Sequence, residues 1–171
     1  MGIPESERRS TMQPPPIPAD EPERLAALWS TRLLDTPPAE AFDRITRSVT
    51  ELLNVPIALI SLVDEKRQWF LSRFGLAVPE TPRDVSFCGH AVASRQELRV
   101  DDAWEDPRFC GNPLVTGEPY IRAYLGVPVF DDAGHALGTL CVLDRRARRF
   151  TPEERQILQR YARIVQHLIR R

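Results

Sequence analysis

Apolar positions change period several times along the chain, and each change marks an element. From Glu21 to Asp35, Leu25, Leu28, Trp29 and Leu33 recur at helical spacing, and Thr36-Pro37-Pro38 breaks the run. A second helix is predicted from about Pro38 to Leu53, with Phe42, Ile45, Val49, Leu52 and Leu53 on one stripe. Asn54 ends it and the period then shortens. Pro56–Val63 is a near-continuous apolar run of strand length, Asp64-Glu65-Lys66 a polar turn, and Arg67–Phe74 a return strand closed by Gly75; together they read as a β-hairpin. Leu76–Asp84 reads as a loop and Val85–Ser94 as a short helix, with Asp84 or Ser86 as its N-cap.

Leu98–Val100 follows as a short strand, and Asp101–Pro119 as a long loop rich in proline, glycine and acids. Tyr120–Phe130 and His135–Leu143 form a second hairpin about the turn 131–134. The final helix has the clearest start. Thr151 is its N-cap, Pro152 sits at N1, and Glu154 is the acid of a capping box. Leu158, Tyr161, Val165 and Leu168 then step by three and four, with Ile157 and Ile164 widening the stripe. This order predicts an α+β fold: a central antiparallel sheet of five to six strands, helices on one face and a ligand pocket on the other.

Composition narrows the function classes. The 171 residues allow one ordinary domain with a tail. Eight of the 16 prolines lie in the first 38 residues, so residues 1–19 read as a disordered proline-rich tail and residues 20–171 as the domain. The 23 basic residues, of which only Lys66 is a lysine, balance 24 acids. That balance argues against general nucleic-acid binding. Three cysteines without C-x-x-C spacing make neither a disulfide framework nor a structural zinc site. The longest apolar run, Val55–Val63, is too short to span a bilayer, so no membrane partner and a cytoplasmic, reducing location are expected. P-loop, dinucleotide-fingerprint, zinc-protease and nucleophile-elbow motifs are absent from the sequence.

Several segments, in this order and spacing, resemble a GAF domain of bacterial signalling proteins. They are LLDTPPAEAFDRIT (33–46), VPIALISLVDEKRQWFLSRFGL (55–76), ETPRDVSFCGHAV (80–92), residues 100–129 and GHALGTLCVLDRRARRFTPEERQIL (134–158). They are similar to the subgroup found with histidine kinases, diguanylate cyclases and phosphodiesterases. The resemblance implies a small-molecule sensor without catalytic activity, signalling through its terminal helices. It also implies a homodimer paired through those helices and a separate kinase or cyclase partner. It leaves the cofactor open among haem, bilin and nucleotide, because fold does not fix ligand.

Candidate ligand-binding residues lie in three stretches. In SFCGHAV (86–92), Phe87, Cys88 and His90 either line the pocket, with His90 at a ligand or axial metal position, or serve as core and backbone-bonded residues. Around the long loop, Asp102, Trp104, Arg108 and Phe109 either face a ligand or bond within the loop, where Asp102, Glu105 and Asp106 can pair with Arg108 and Arg122. Arg122 and Tyr124 share one side of a strand, and Trp69 and Cys141 complete the set. Trp69 and Leu71 are expected to face opposite to Phe70 and Ser72.

The cysteines open an enzymatic alternative. Phe87-Cys88-Gly89-His90-Ala91 resembles a segment of the free methionine-(R)-sulfoxide reductase branch, and Cys110 falls where that branch carries a further cysteine. Its pocket acids, however, fall where this chain has Tyr124, Cys141 and Leu143. A Cys88–Cys110 redox switch and a ligand-free interaction or dimerisation module are the remaining alternatives.

Overall fold

A computed structural model describes residue 4 and residues 11–170. Helix α1 spans Glu21–Ser30 and α2 spans Glu40–Leu53. The hairpin is β1 (Ile57–Val63) and β2 (Arg67–Phe74), followed by a short β3 (Glu80–Pro82). Helix α3 (Phe87–Ser94), β4 (Leu98–Val100) and a single turn, α4 (Pro113–Thr116), precede the second hairpin, β5 (Ala123–Phe130) and β6 (Ala136–Asp144). Helix α5 covers Pro152–Ile169.

Three boundaries differ from the sequence reading for local reasons. Helix α1 ends by Ser30 rather than Asp35 because the backbone turns left-handed at Arg32 and Asp35 (φ 56° and 63°). The loop before α3 contains β3, which extends the sheet by three residues beside β2. β5 begins three residues after Tyr120, whose own φ of 60° keeps it out of a strand.

The six strands form one antiparallel sheet in the order β3-β2-β1-β6-β5-β4. Strict alternation along β1 sends Ala58, Ile60 and Leu62 to one face and Ile57, Leu59 and Ser61 to the other. On the first face the helices close a core. Leu28 of α1, Phe42, Ile45, Val49 and Leu53 of α2, and Leu158, Ala162, Val165 and Ile169 of α5 pack on Leu125, Leu140 and Val142. Leu52, which the sequence places on the α2 stripe, is 54% exposed and outside this core.

The capping box of α5 is complete. Thr151 Oγ1 accepts from the Glu154 amide, and Glu154 accepts from the Thr151 amide (2.9 Å). The stripe read as a pairing seam on α5 is divided. Leu158 and Val165 are buried against the domain's own sheet, while Tyr161 and Leu168 lie half-buried at the core's edge.

An ionic clip crosses one end of the sheet. Glu21 receives Arg24 Nε (2.9 Å) and Arg83 Nη1 (2.5 Å). Both arginines are almost wholly buried, Arg24 from α1 and Arg83 from the turn before α3. Arg24 also donates to the Ala136 carbonyl and Arg83 to the Asp64 carbonyl. Burial opposes ionisation of Glu21, but the hydrogen bonds from Arg24 and Arg83 outweigh it and bring the carboxyl down to about 2.

Candidate functional site

On the sheet face away from the helices lies a cavity of about 400 Å³. Its sheet side is made by Ile57 and Leu59 of β1, Gln68 and Phe70 of β2, Tyr124 of β5, and Cys141 and Leu143 of β6. Phe87 and Cys88, the first residues of α3, form one wall. Local chemistry aims them: Ser86 caps α3 by accepting from the Gly89 amide (3.1 Å) while donating to the Arg83 carbonyl (2.7 Å). The segments 75–78 and 118–121 complete the rim, where Glu80, Glu118 and Arg145 are exposed.

Cys88 is the centre of a buried polar network on this face. The hydroxyls of Tyr124 (3.2 Å) and Thr139 (3.0 Å) donate to its sulfur. Its own proton is in reach of Ser61 Oγ (3.4 Å) and Cys141 Sγ (3.8 Å). Gly126 makes room for this arrangement, since a Cβ there would collide with the Tyr124 hydroxyl. Burial pushes the Cys88 thiol up, but its hydrogen bonds with Cys141, Ser61, Thr139 and Tyr124 prevail and bring it down. Burial and the neighbouring Cys88 push Cys141 well up. The thiol nearest Cys88 is thus Cys141. Cys110 instead lies under another segment, its sulfur 3.5 Å from the Thr11 carbonyl.

The structure divides the residues proposed from sequence. Phe87, Cys88, Tyr124 and Cys141 line the cavity. Trp69 does not: it packs in the helix-side core, and Phe70 occupies the cavity instead. The register of β2 against β1 slips between Ile60 and Ser61, leaving Leu71 of β2 unpaired as a bulge. As a result Phe70 and Ser72 face opposite ways, and Ser72 bonds Thr46 and Asp43 of α2.

The long-loop residues bond among themselves. Arg122 grips Asp102 through two 2.8 Å contacts and lies 4.2 Å from the Trp104 ring centre. Arg108 grips Asp106 (3.0 and 2.7 Å), and Asn112 caps α4 by accepting from the Leu114 amide. Phe109 stacks behind Phe87, with ring centres 4.0 Å apart and planes 8° from parallel, so it supports the cavity wall without lining it.

His90 also lies outside the cavity. Its Nε2 is 3.0 Å from the Gln13 carbonyl, and burial pushes its imidazole down. Part of the stretch read as a tail is responsible. Residues 1–3 and 5–10 of that stretch lie outside the described residues, but from Thr11 the chain lies against the domain. Gly111 donates to the Thr11 carbonyl and Gln13 to the Arg108 carbonyl, while Pro15 is buried over Gly89. Any Cβ at Gly89 or Gly111 would meet Pro15 or Thr11 at under 3 Å. Among the described residues no group of three or more His, Cys, Asp or Glu could hold a metal, and no helix is long and apolar enough to cross a membrane.

Gln68 is a polar cavity residue that sequence reasoning missed, as it missed the apolar Ile57, Leu59, Phe70 and Leu143. It is a polar residue on an otherwise apolar return strand, and nothing in its spacing distinguishes it from a solvent-facing position. In the fold it is 5% exposed, donates Nε2 to Thr81 Oγ1 (2.7 Å), and has no partner for Oε1 among the described residues.

The architecture is thus a helix-backed antiparallel sheet with a cavity on its opposite face. The chain belongs to the GAF family, whose description, GAF domain, matches residues 37–168. It is 43% identical over 155 residues to a cyclic di-GMP phosphodiesterase of Pseudomonas aeruginosa, a match covering 90% of this chain and 26% of that protein. The chain therefore spans about a quarter of that relative. The GAF domain of an Acinetobacter phosphoenolpyruvate-protein phosphotransferase has the same fold (TM-score 0.65, 19% identity, 88% of this chain and 93% of that one). So does a free methionine-R-sulfoxide reductase from Neisseria meningitidis (TM-score 0.63, 20% identity, 86% and 87%).

Proposed function

We propose that this chain is a non-catalytic GAF module that binds a small molecule in the cavity against Phe70, Phe87 and Tyr124 and regulates a bacterial signalling output. The observation behind it is the cavity itself: about 400 Å³, within the range of small-molecule sites, and walled by an N-capped helix and a rigid sheet. The similarity to a cyclic di-GMP phosphodiesterase supports an output in cyclic-dinucleotide turnover, with an effector of cyclase or phosphodiesterase type as partner. The location is the cytoplasm, where such effectors have their substrates.

A route from cavity to output runs through Glu97, which follows α3. Its carboxylate receives Arg155 (2.6 Å) and Gln159 (3.2 Å), both on α5. A ligand touching Phe87 and Cys88 shifts α5 only if it binds two arrangements of α3 with different affinity. The half-exposed side of α5 carries Ile157, Tyr161, Ile164 and Leu168 at heptad spacing, and this is the side we assign to pairing in a homodimer. Native mass spectrometry of the purified protein, with an absorbance spectrum, tests the reading. A retained small-molecule mass on a dimer is expected; a bare monomer whose melting temperature no small molecule shifts would contradict it.

The sulfoxide-reductase likeness extends to fold. This cavity holds no buried carboxylate to protonate a sulfoxide, and Cys88 faces Cys141 rather than Cys110. Absence of thioredoxin-coupled turnover of free methionine sulfoxide is accordingly expected.

A further inference from the structure

We propose that the cavity selects an uncharged, flat aromatic molecule bearing a hydrogen-bond donor, and that Gln68 Oε1 is the acceptor that recognises it. This deepens, and rests on, the ligand-binding reading above. Gln68 sits on β2 at the cavity surface and is 5% exposed. Its amide is oriented by Thr81, whose hydroxyl accepts from Nε2 at 2.7 Å. Oε1 then has no partner among the described residues, a costly condition for a buried acceptor, and because it is covered a ligand donor reaches it only as the lining shifts. Among the described residues Arg83 Nε and Asp101 Oδ1 also have no hydrogen bond, though Asp101 Oδ1 lies 3.2 Å from Arg99 Nε, and neither residue lines the cavity.

Charge and shape define the rest of the ligand. The charged side chains that border the cavity, Glu80, Glu118 and Arg145, are all exposed at its rim. Glu80 is engaged by Arg67 (3.1 Å), and Arg145 donates to the Pro119 carbonyl (3.1 Å). An ion placed deep inside would lack a partner there and would have lost its hydration. Phe70, Phe87 and Tyr124 line the cavity, and Phe87 is held in place by the Phe109 stack, so a flat aromatic body gains contact without ordering the wall.

Three bicyclic probes of similar size separate the elements of this claim: indole, which donates; benzofuran, its near-isostere without a donor; and quinoline, which only accepts. Calorimetric titration of the full chain is expected to give indole a Kd about tenfold lower than benzofuran, with quinoline no tighter than benzofuran. In Gln68→Leu the indole preference should fall to near unity while benzofuran binding stays within about twofold of wild type. Equal binding of indole and benzofuran, or a quinoline preference, overturns the donor assignment and leaves ligand binding standing; the wild-type protein alone decides this. An indole preference that survives in Gln68→Leu also overturns it. Failure of all three probes to bind overturns the ligand-binding reading together with this inference.

Discussion

The two faces of the sheet come from the same strands, residue by alternate residue, yet they are built differently. On the helix face, Ala58, Ile60, Leu140 and Val142 meet three helices and leave little room. On the opposite face, Leu59, Phe70 and Cys141 border about 400 Å³ of open volume, and Ser61, Gln68, Tyr124 and Thr139 bring polar atoms to the interior. Burial fraction does not distinguish them: Leu59 and Leu158 are 4% and 0% exposed. The difference lies in what stands opposite each side chain, closed packing on one side and a cavity on the other. One sheet thereby supplies stability on one face and a place for recognition on the other.

Paired truncations break this comparison most severely. Leu158→Ala leaves a hole in closed packing and is expected to cost about 3–4 kcal/mol in denaturant unfolding. Leu59→Ala, which enlarges an existing cavity, is expected to cost about half as much, because fewer contacts are lost. Equal costs would mean that the two faces are packed alike.

The Glu21 clip joins α1, on the helix side, to the turn that launches α3, and its effect should come next. Glu21→Gln leaves Arg24 and Arg83 buried without a countercharge, at an expected cost of about 2–3 kcal/mol, reduced from that of a dry ion pair by the carbonyls that still receive both arginines. The pH dependence has a definite sign. The Glu21 carboxyl is lowered from 4.5 to about 2 in the fold, so the unfolded chain takes up the proton first. The stabilisation is present above pH 4.5 and is lost as pH falls towards 2. The Glu21→Gln variant should lack that portion of the acid sensitivity, measured as unfolding midpoint against pH.

Small-to-large changes sharpen the comparison further. Ala58→Leu on the helix face is expected to cost about 1–3 kcal/mol by overpacking. Leu59→Phe, one residue later, has the cavity to grow into and should change stability by less than about 1 kcal/mol while blocking indole. A large loss of stability in Leu59→Phe would show that the volume beside it is not available to a ligand.

Much of the fold was legible because its signals are local. The Thr151–Glu154 capping box, the Ser86 cap and the two hairpins each rest on a few adjacent residues. The self-bonded loop was legible in part, as one of two readings, since Asp106 and Arg108 are close in sequence. The site was less legible. Trp69 and Phe70 are neighbouring aromatics on opposite sides of β2, and alternation alone does not say which side carries the cavity. The partner of Gln68 is Thr81 on a three-residue strand, and that contact exists only once β3 has docked. His90 was read as a pocket residue and Cys110 as a redox partner of Cys88, whereas the segment from Thr11 to Pro15 lies across both, contacts spanning 77 and 99 residues that no local pattern encodes.

The most direct test of the account follows backbone amide resonances of the whole chain by NMR during titration with indole. Binding in the cavity predicts saturable shifts at Gln68, Phe70, Phe87, Cys88 and Tyr124, with the buried helix-face positions Ile60, Val142 and Val165 largely unmoved. Shifts centred on the helix face, or none at the cavity up to the solubility of the probe, would contradict it.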